Sequence, residues 1–188
     1  MTARNKSENV SSEGLEARIK GLLSDNGVKI SKKENIDLLS SRGYGVAEDS
    51  VLTLAFYEAL YLVGKELLEV EDKKKKPVDF QGLLQRYKSV KEGAWAEYLA
   101  YRDLRSRGYV VREGFGLGMD FRVYERGVYS KDTAKYLVLS IQEGKPVSME
   151  DLENAIKRSQ SAKKELILAV MNRRGEVVYY AVSKLNLA

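Results

Sequence analysis

A chain of 188 residues with 44% hydrophobic content is long enough to bury one substantial core or two small ones. It holds no cysteine and no histidine, which excludes disulfides, thiolate zinc sites and any mechanism in which this chain supplies an imidazole as acid, base or ligand. Lysine and arginine outnumber aspartate and glutamate by 32 to 27, a net charge of +5 that suits a polyanionic partner without requiring one.

Residues 1–12 are polar and patternless. They read as a frayed tail without the apolar centre of a signal peptide, and no run approaches the ~18 apolar residues of a membrane span, so the expected location is the cytoplasm. High lysine and glutamate with no cysteine also fits a protein from a hot environment. From Glu13, Leu15, Ile19, Leu22 and Leu23 recur at helical spacing until Asp25-Asn-Gly27, which predicts a helix followed by a short strand over 28–30. Ser31 or Asn35 can cap the next helix, which carries Ile36, Leu38 and Leu39 and is closed by Gly43 and Gly45. Residues 51–63, with Leu54, Tyr57, Glu58 and Tyr61, read as a single helix with more than one buried face. The lysines at 73–76, flanked by Glu71 and Asp72, read as a solvated loop.

A short helix is expected over 80–87 and a longer one from near Ser89. The latter places Val90, Ala94, Tyr98, Tyr101 and Leu104 on one stripe, with Trp95 and Leu99 beside them. Strands follow near 109–113, 119–124 and 135–142. In the second, alternation sends Met119, Phe121 and Val123 to a core and gathers Asp120, Arg122 and Tyr124 on the other face. Ser148 and Asp151 form a capping box that opens a helix over 149–163, with Leu152, Ala155, Ile156, Ser159 and Ala162 as its buried stripe. Strands over 165–171 and 176–183 turn at Asn172-Arg-Arg-Gly175. The order α-β-β-β-α-β-β after residue 88 describes a mixed sheet flanked by helices. The chain is therefore read as α/β (α+β), with a tail over 1–12 and domains over 13–87 and 88–188.

The stretch Tyr101-Arg-Asp-Leu-Arg-Ser-Arg-Gly-Tyr-Val-Val-Arg-Glu-Gly-Phe-Gly-Leu-Gly-Met-Asp-Phe-Arg-Val-Tyr124 resembles the archaeal tRNA-splicing (tRNA-intron) endonuclease family. Ser41-Arg-Gly-Tyr-Gly45, Glu58-Ala-Leu-Tyr-Leu62, Lys135-Tyr-Leu-Val138 and Ser161-Ala-Lys-Lys-Glu-Leu-Ile-Leu-Ala169 extend the resemblance over roughly residues 28–185. It implies a small helical N-terminal domain with a minor sheet and a restriction-nuclease-like C-terminal domain. It also implies metal-free cleavage of precursor tRNA at a bulge-helix-bulge, with no cofactor, leaving 2′,3′-cyclic phosphate and 5′-hydroxyl ends. In the family a tyrosine takes the 2′-hydroxyl proton, a histidine protonates the leaving oxygen and a lysine stabilises the phosphorane.

By motif, the resemblance carries the tyrosine position to Tyr124, the lysine position to Lys164 and the histidine position to Thr133. A threonine hydroxyl has no accessible pKa near neutrality, and loss of a general acid typically costs ~10² to 10⁴ in rate. Gly116 and Leu117 also stand where catalytic members carry a basic residue ahead of Gly118-x-Asp-Phe. The chain thus resembles the structural subunit of the heterotetrameric form, which pairs two such chains with two catalytic ones. On that reading Lys157, Arg158, Lys163 and Lys164 are the RNA-binding candidates. Arg173, Arg174, Glu176, Val177, Val178, Tyr179 and Tyr180 are the candidates for the partner interface. The family's loop between the last two strands is often acidic; here only Glu176 supplies a carboxylate.

Three other readings stay open. Asp120 with Glu143-Gly-Lys145 resembles the D…E-x-K set of metal-dependent nucleases. The chain could be a weakly active endonuclease with an unconventional acid, or an inactivated catalytic subunit. Or it could be an RNA-binding module with no catalytic partner.

Overall fold

The computed structural model describes residues 18–114, 118–131 and 133–185. Its first half is a six-stranded sheet with three helices. Strands β1 (Ile19–Ser24) and β2 (Gly27–Ile30) form a hairpin, followed by α1 (Lys33–Ser41), the hairpin β3 (Val46–Glu48) and β4 (Val51–Leu54), and α2 (Phe56–Gly64). Then come β5 (Leu68–Glu71), β6 (Pro77–Val78) and α3 (Phe80–Val90), and the strands lie in the order β3-β4-β2-β1-β5-β6. The second half begins with α4 (Ala94–Ser106). Strands β7 (Val110–Glu113), β8 (Phe121–Tyr124) and β9 (Tyr136–Gln142) follow, then α5 (Met149–Ser161), β10 (Glu165–Met171) and β11 (Val177–Val182). This sheet runs β11-β10-β9-β8-β7, antiparallel except where α5 forms the crossover between parallel β9 and β10. Among the described residues no helix is long and apolar enough to cross a membrane.

From residue 94 onward the expected order of elements holds, and Met119, Phe121 and Val123 are buried while Asp120, Arg122 and Tyr124 share the opposite face. Four local expectations are corrected. Residues 19–24 form a strand, because burial alternates through Ile19 and Gly21 while Leu22 is 46% exposed. Gly21 is an inward position with no side chain, and a Cβ there would sit 2.4 Å from Val28. Residues 51–54 are also a strand, with Leu52 and Leu54 inward, and α2 begins only after Ala55 adopts extended backbone. α1 starts at Lys33 with Lys32 at its N-cap and no side-chain cap, so neither Ser31 nor Asn35 has that role. The long helix expected from Ser89 is two helices: Lys91 is extended and Gly93 has φ +77, a left-handed conformation suited to glycine. Residue 88 lies within α3, and the backbone break comes at 91–93.

α4 lies between the two sheets, packing on α2 and α3 on one side and on β7, β9 and β10 on the other. Ala94, Ala96, Tyr98, Leu99, Ala100, Tyr101 and Leu104 are all buried. Tyr101 meets Tyr57 of α2 at 4.8 Å and Phe121 of β8 at 5.8 Å between ring centroids, and Tyr57 meets Phe121 edge-on at 5.1 Å. One apolar core therefore runs from the first sheet to the second.

Two carboxylates break that apolar seam. Glu58 of α2 is 4% exposed and accepts from the backbone N–H groups of Gly45 at 3.0 Å and Ala55 at 2.9 Å. Burial pushes its pKa up, against those hydrogen bonds and the Arg112 charge. Glu97 of α4, also 4% exposed, accepts from the Tyr87 hydroxyl and pairs with Lys91 Nζ at 2.6 Å. The same ammonium reaches Asp120 Oδ1 at 3.0 Å, while Asp120 Oδ2 accepts from the Ser140 N–H at 2.7 Å. Burial raises the Glu97 pKa and the Asp120 charge adds to it; for Lys91 the two carboxylates outweigh burial and raise it.

Removing this ammonium leaves two carboxylates facing one another. Lys91→Met is expected to lower the unfolding free energy by about 2–3 kcal/mol at neutral pH, below the cost of a fully buried pair because Lys91 is partly screened by solvent. Glu97 holds its proton more tightly folded than unfolded, so folded stability gains as pH falls from its raised value toward the ordinary 4.5. Without the Lys91 charge the Glu97 pKa rises further in the variant, which therefore gains more on acidification than the parent, and its deficit should shrink. Urea unfolding of both proteins at pH 7 and pH 5 tests this; an equal deficit at the two values refutes the assignment.

Candidate active cleft

Three segments form the cleft: the end of β8, the link into β9 and the end of α5. α5 is opened by Ser148, whose Oγ accepts from the Asp151 N–H at 3.0 Å, and its stripe from Leu152 to Ala162 packs on Leu137 and Leu166. It ends in a paired turn in which the Lys163 N–H reaches the Gln160 carbonyl and the Lys164 N–H the Ser159 carbonyl, both at 2.9 Å. Lys163 occupies the left-handed position of this turn with φ +53, where glycine is usual and a side chain costs roughly 1 kcal/mol. Lys164 leaves the turn immediately before β10 and donates from Nζ to the Ala134 carbonyl just ahead of β9.

A cavity of about 500 Å³ lies here, and Thr133, Lys163, Lys164 and Gln160 are among the residues around it. Thr133 and Lys164, assigned by motif from distant parts of the sequence, thus share one cleft. Tyr124 is half-buried at the end of β8 and meets the Tyr129 ring edge-on at 5.1 Å; it is not among the residues lining the cavity, though its neighbour Glu125 is. Gly116 and Leu117 lie outside the described residues.

Lys135 and Glu125, which also line the cleft, are not among the site candidates drawn from the sequence. Lys135 pairs with Glu125 at 2.8 Å and lies 4.0 Å from Glu165, and Glu125 also accepts from the Tyr136 hydroxyl at 3.3 Å. The hydrogen bond to Glu125, with Tyr136 next, raises the Lys135 pKa. Both residues adjoin motif positions, Glu125 after Tyr124 and Lys135 before Tyr136, and that adjacency was the available signal. Among the described residues the cleft offers the ammonium groups of Lys135, Lys163 and Lys164 and the Thr133 hydroxyl, groups that suit a phosphate, beside the carboxylates of Glu125 and Glu165, and no imidazole to pass a proton to a leaving oxygen.

Of the other RNA-binding candidates, Lys157 pairs with Glu153 at 2.8 Å on the exposed face of α5. Arg158 borders a different cavity of about 470 Å³, with its guanidinium against Gly118. The interface candidates divide by strand face. Val177 and Tyr179 pack inward, with the Tyr179 hydroxyl donating to Asp103 at 2.7 Å, while Val178 and Tyr180 are 46% and 54% exposed. At the turn, Glu176 accepts from the Asn172 amide at 2.7 Å, and Arg173 and Arg174 are exposed.

Each side chain of the D…E-x-K set has another partner. Asp120 is engaged by Lys91 and Ser140, Glu143 accepts from the Arg173 N–H at 3.3 Å, and Lys145 pairs with Glu92 at 2.6 Å. Among the described residues no group of three or more acidic side chains comes together as a metal-ligand set.

Lys164→Met removes the donor from the Ala134 carbonyl and should lower the unfolding free energy by about 1 kcal/mol. Lys163→Gly relieves the left-handed strain and should raise it by about 0.5–1 kcal/mol. Denaturant midpoints distinguish these opposite signs, and a shift of the same sign in both variants would contradict the geometry.

Residues 94–179 match the model of the family described as "tRNA intron endonuclease, catalytic C-terminal domain", and residues 19–84 match "tRNA intron endonuclease, N-terminal domain". The chain is 38% identical over 165 residues to a tRNA-splicing endonuclease of Methanococcus maripaludis, covering 88% of this chain and 93% of the relative. It is 33% identical over 169 residues to that of Methanothermobacter thermautotrophicus, covering 88% and 96%. To that of Pyrococcus horikoshii it is 33% identical over 145 residues, covering 77% and 83%.

Proposed function

The chain belongs to the tRNA intron endonuclease family, and from that premise we propose that it is the structural, non-catalytic subunit of a tRNA-splicing endonuclease. The observation that carries the proposal is Thr133, which lines the same cleft as Lys164 at the position to which the sequence resemblance carries the family's histidine, in a chain with no histidine at all. The Lys164 ammonium is engaged by a backbone carbonyl of its own chain, a contact that serves folding whether or not a phosphorane is ever stabilised there.

In this role the chain supports a catalytic sibling that cuts precursor tRNA at bulge-helix-bulge introns. The sibling leaves 2′,3′-cyclic phosphate and 5′-hydroxyl ends in an α2β2 assembly in the cytoplasm. β11 is the outer strand of its sheet, and Val178 and Tyr180 project from it, which supports pairing with a partner through that edge. Lys157, Lys163 and Lys164 lie on α5 or just beyond it and suit contact with RNA phosphates; Arg158 is kept in the same set.

The test is cleavage of a bulge-helix-bulge precursor in the presence of chelator. The chain alone should leave the RNA intact, and a mixture with the catalytic sibling should cut it at a rate unaffected by Tyr124→Phe in this chain. Cutting by the chain alone would overturn the proposal and move attention to Tyr124, Lys164 and an acid other than histidine.

A further inference from the structure

We propose that the turn over 42–45 in the first half is a positioning element for the cleft, holding Tyr124 and the cleft wall that follows it through a contact between Gly43 and Tyr129. The inference rests on the reading of the cleft as a place where this chain meets precursor RNA. The turn falls in Ser41-Arg-Gly-Tyr-Gly45, a segment to which the function proposed above gives no role.

The turn closes α1. The Gly43 N–H donates to the Ser40 carbonyl at 2.9 Å and the Tyr44 N–H to the Leu39 carbonyl at 3.0 Å, the paired bonds of a helix that ends on a left-handed residue, and Gly43 has φ +73. Side chains from other elements then fix its place. Arg105 of α4 donates to the Arg42 carbonyl at 3.1 Å, with its guanidinium 3.8 Å from the centroid of the Tyr44 ring. Arg112 of β7 donates to the Gly43 carbonyl at 3.0 Å, and Glu58 of α2 accepts from the Gly45 N–H. A turn that belongs to the first half is thus gripped by two arginines of the second.

It presses on β7, the outer strand of the second sheet. A Cβ on Gly43 would lie 2.5 Å from Val110 Cγ1 and 3.1 Å from the Tyr129 ring, so no side chain fits between them. Val110 is paired with Tyr124 across the β7–β8 ladder, and Tyr129 meets Tyr124 edge-on at 5.1 Å. Gly43, Val110, Tyr124 and Tyr129 therefore close a ring of contacts around the end of β8. From that ring the chain runs straight into the cleft, because Glu125 follows Tyr124 and Val128 precedes Tyr129, and both line the cavity. Arg126, between them, lies 5.4 Å from the Tyr109 ring. Residues 126–129 are turns rather than strand, so their place depends on these side-chain contacts and not on a ladder. Moving this wall moves Glu125, and with it the Lys135 ammonium that it holds at 2.8 Å.

The experiment places 3-fluorotyrosine at position 124 of the full chain and labels threonine methyl groups, so that the fluorine signal and the Thr133 methyl signal report on two segments of the cleft. Gly43→Ala should displace both signals by more than their linewidths and weaken binding of a labelled bulge-helix-bulge RNA roughly three- to tenfold, as a misplaced contact surface does. Leu84→Ala, which destabilises the first half by opening a cavity in the packing of α3, should leave both signals in place. If Gly43→Ala does not fold, Tyr129→Leu at a half-buried position should displace the Thr133 signal and lower RNA affinity to the same extent, and Tyr129→Phe should restore both. Signals unchanged in folded Gly43→Ala or Tyr129→Leu overturn the proposal, as do signals that move equally in Leu84→Ala. Displaced signals with unchanged RNA affinity also overturn it, since the turn would then hold the wall without serving the contact. If the parent chain binds no RNA, the reading of the cleft as an RNA site fails, and the fluorine and methyl signals alone decide whether the turn positions the cleft.

Discussion

The organisation of the molecule depends on a helix that must be buried on nearly every side. α4 lies between α2 and the second sheet, and of its thirteen residues the buried ones are alanines, tyrosines and leucines with the single carboxylate of Glu97. Tyr57, Tyr101 and Phe121 interlock across it at centroid distances that suit edge and tilted ring packing. The tight fit has an uncompensated component, since the Tyr101 hydroxyl is buried with no hydrogen-bond partner among the described residues. Losing one such hydrogen bond costs on the order of 1–3 kcal/mol, which ring packing and full burial of the tyrosine must offset.

That constraint also explains why Glu97 is not simply solvated. Its helical position turns it inward, so Lys91 and Tyr87 of the preceding segment are drawn to it, and Asp120 of β8 is drawn to the same ammonium. The link between α3 and α4, the start of β8 and the middle of β9 are thereby fixed by one cluster. The cleft at the far end of the second sheet has a different balance. Its lysines are spread among a backbone carbonyl, two glutamates and solvent, so the positive charge there is distributed rather than focused on one point.

The second half of the chain was legible because its apolar pattern reports burial faithfully. Along β8 every inward position is a large apolar residue and every outward one is polar or a tyrosine. The α5 stripe and its serine cap are equally explicit. The first half hides its pattern. In β1 an inward position is Gly21, so the surviving apolar residues imitate helical spacing, and Leu22 points to solvent despite its hydrophobicity. In 51–63 a strand and a buried helix are both predominantly apolar, and the join at Ala55 has no turn residue to announce it. Motif reading brought Thr133 and Lys164 to one place, but not the Lys91, Glu97 and Asp120 cluster. Those three come from separate elements, and no local spacing records their meeting.

The pairing of β1 with β5 has a consequence for the order of synthesis. These strands run parallel, Ile19 beside Leu68 and Leu22 beside Glu71, with three strands, α1 and α2 between them in sequence. The β1–β2 hairpin can form from neighbouring residues, but one side of β1 has no strand to bond until residue 71 has left the ribosome. During that interval the nascent chain carries an open strand edge at β1. Its exposure ends only when a segment almost fifty residues later arrives, so until β5 is made that edge of β1 stays open to other strands.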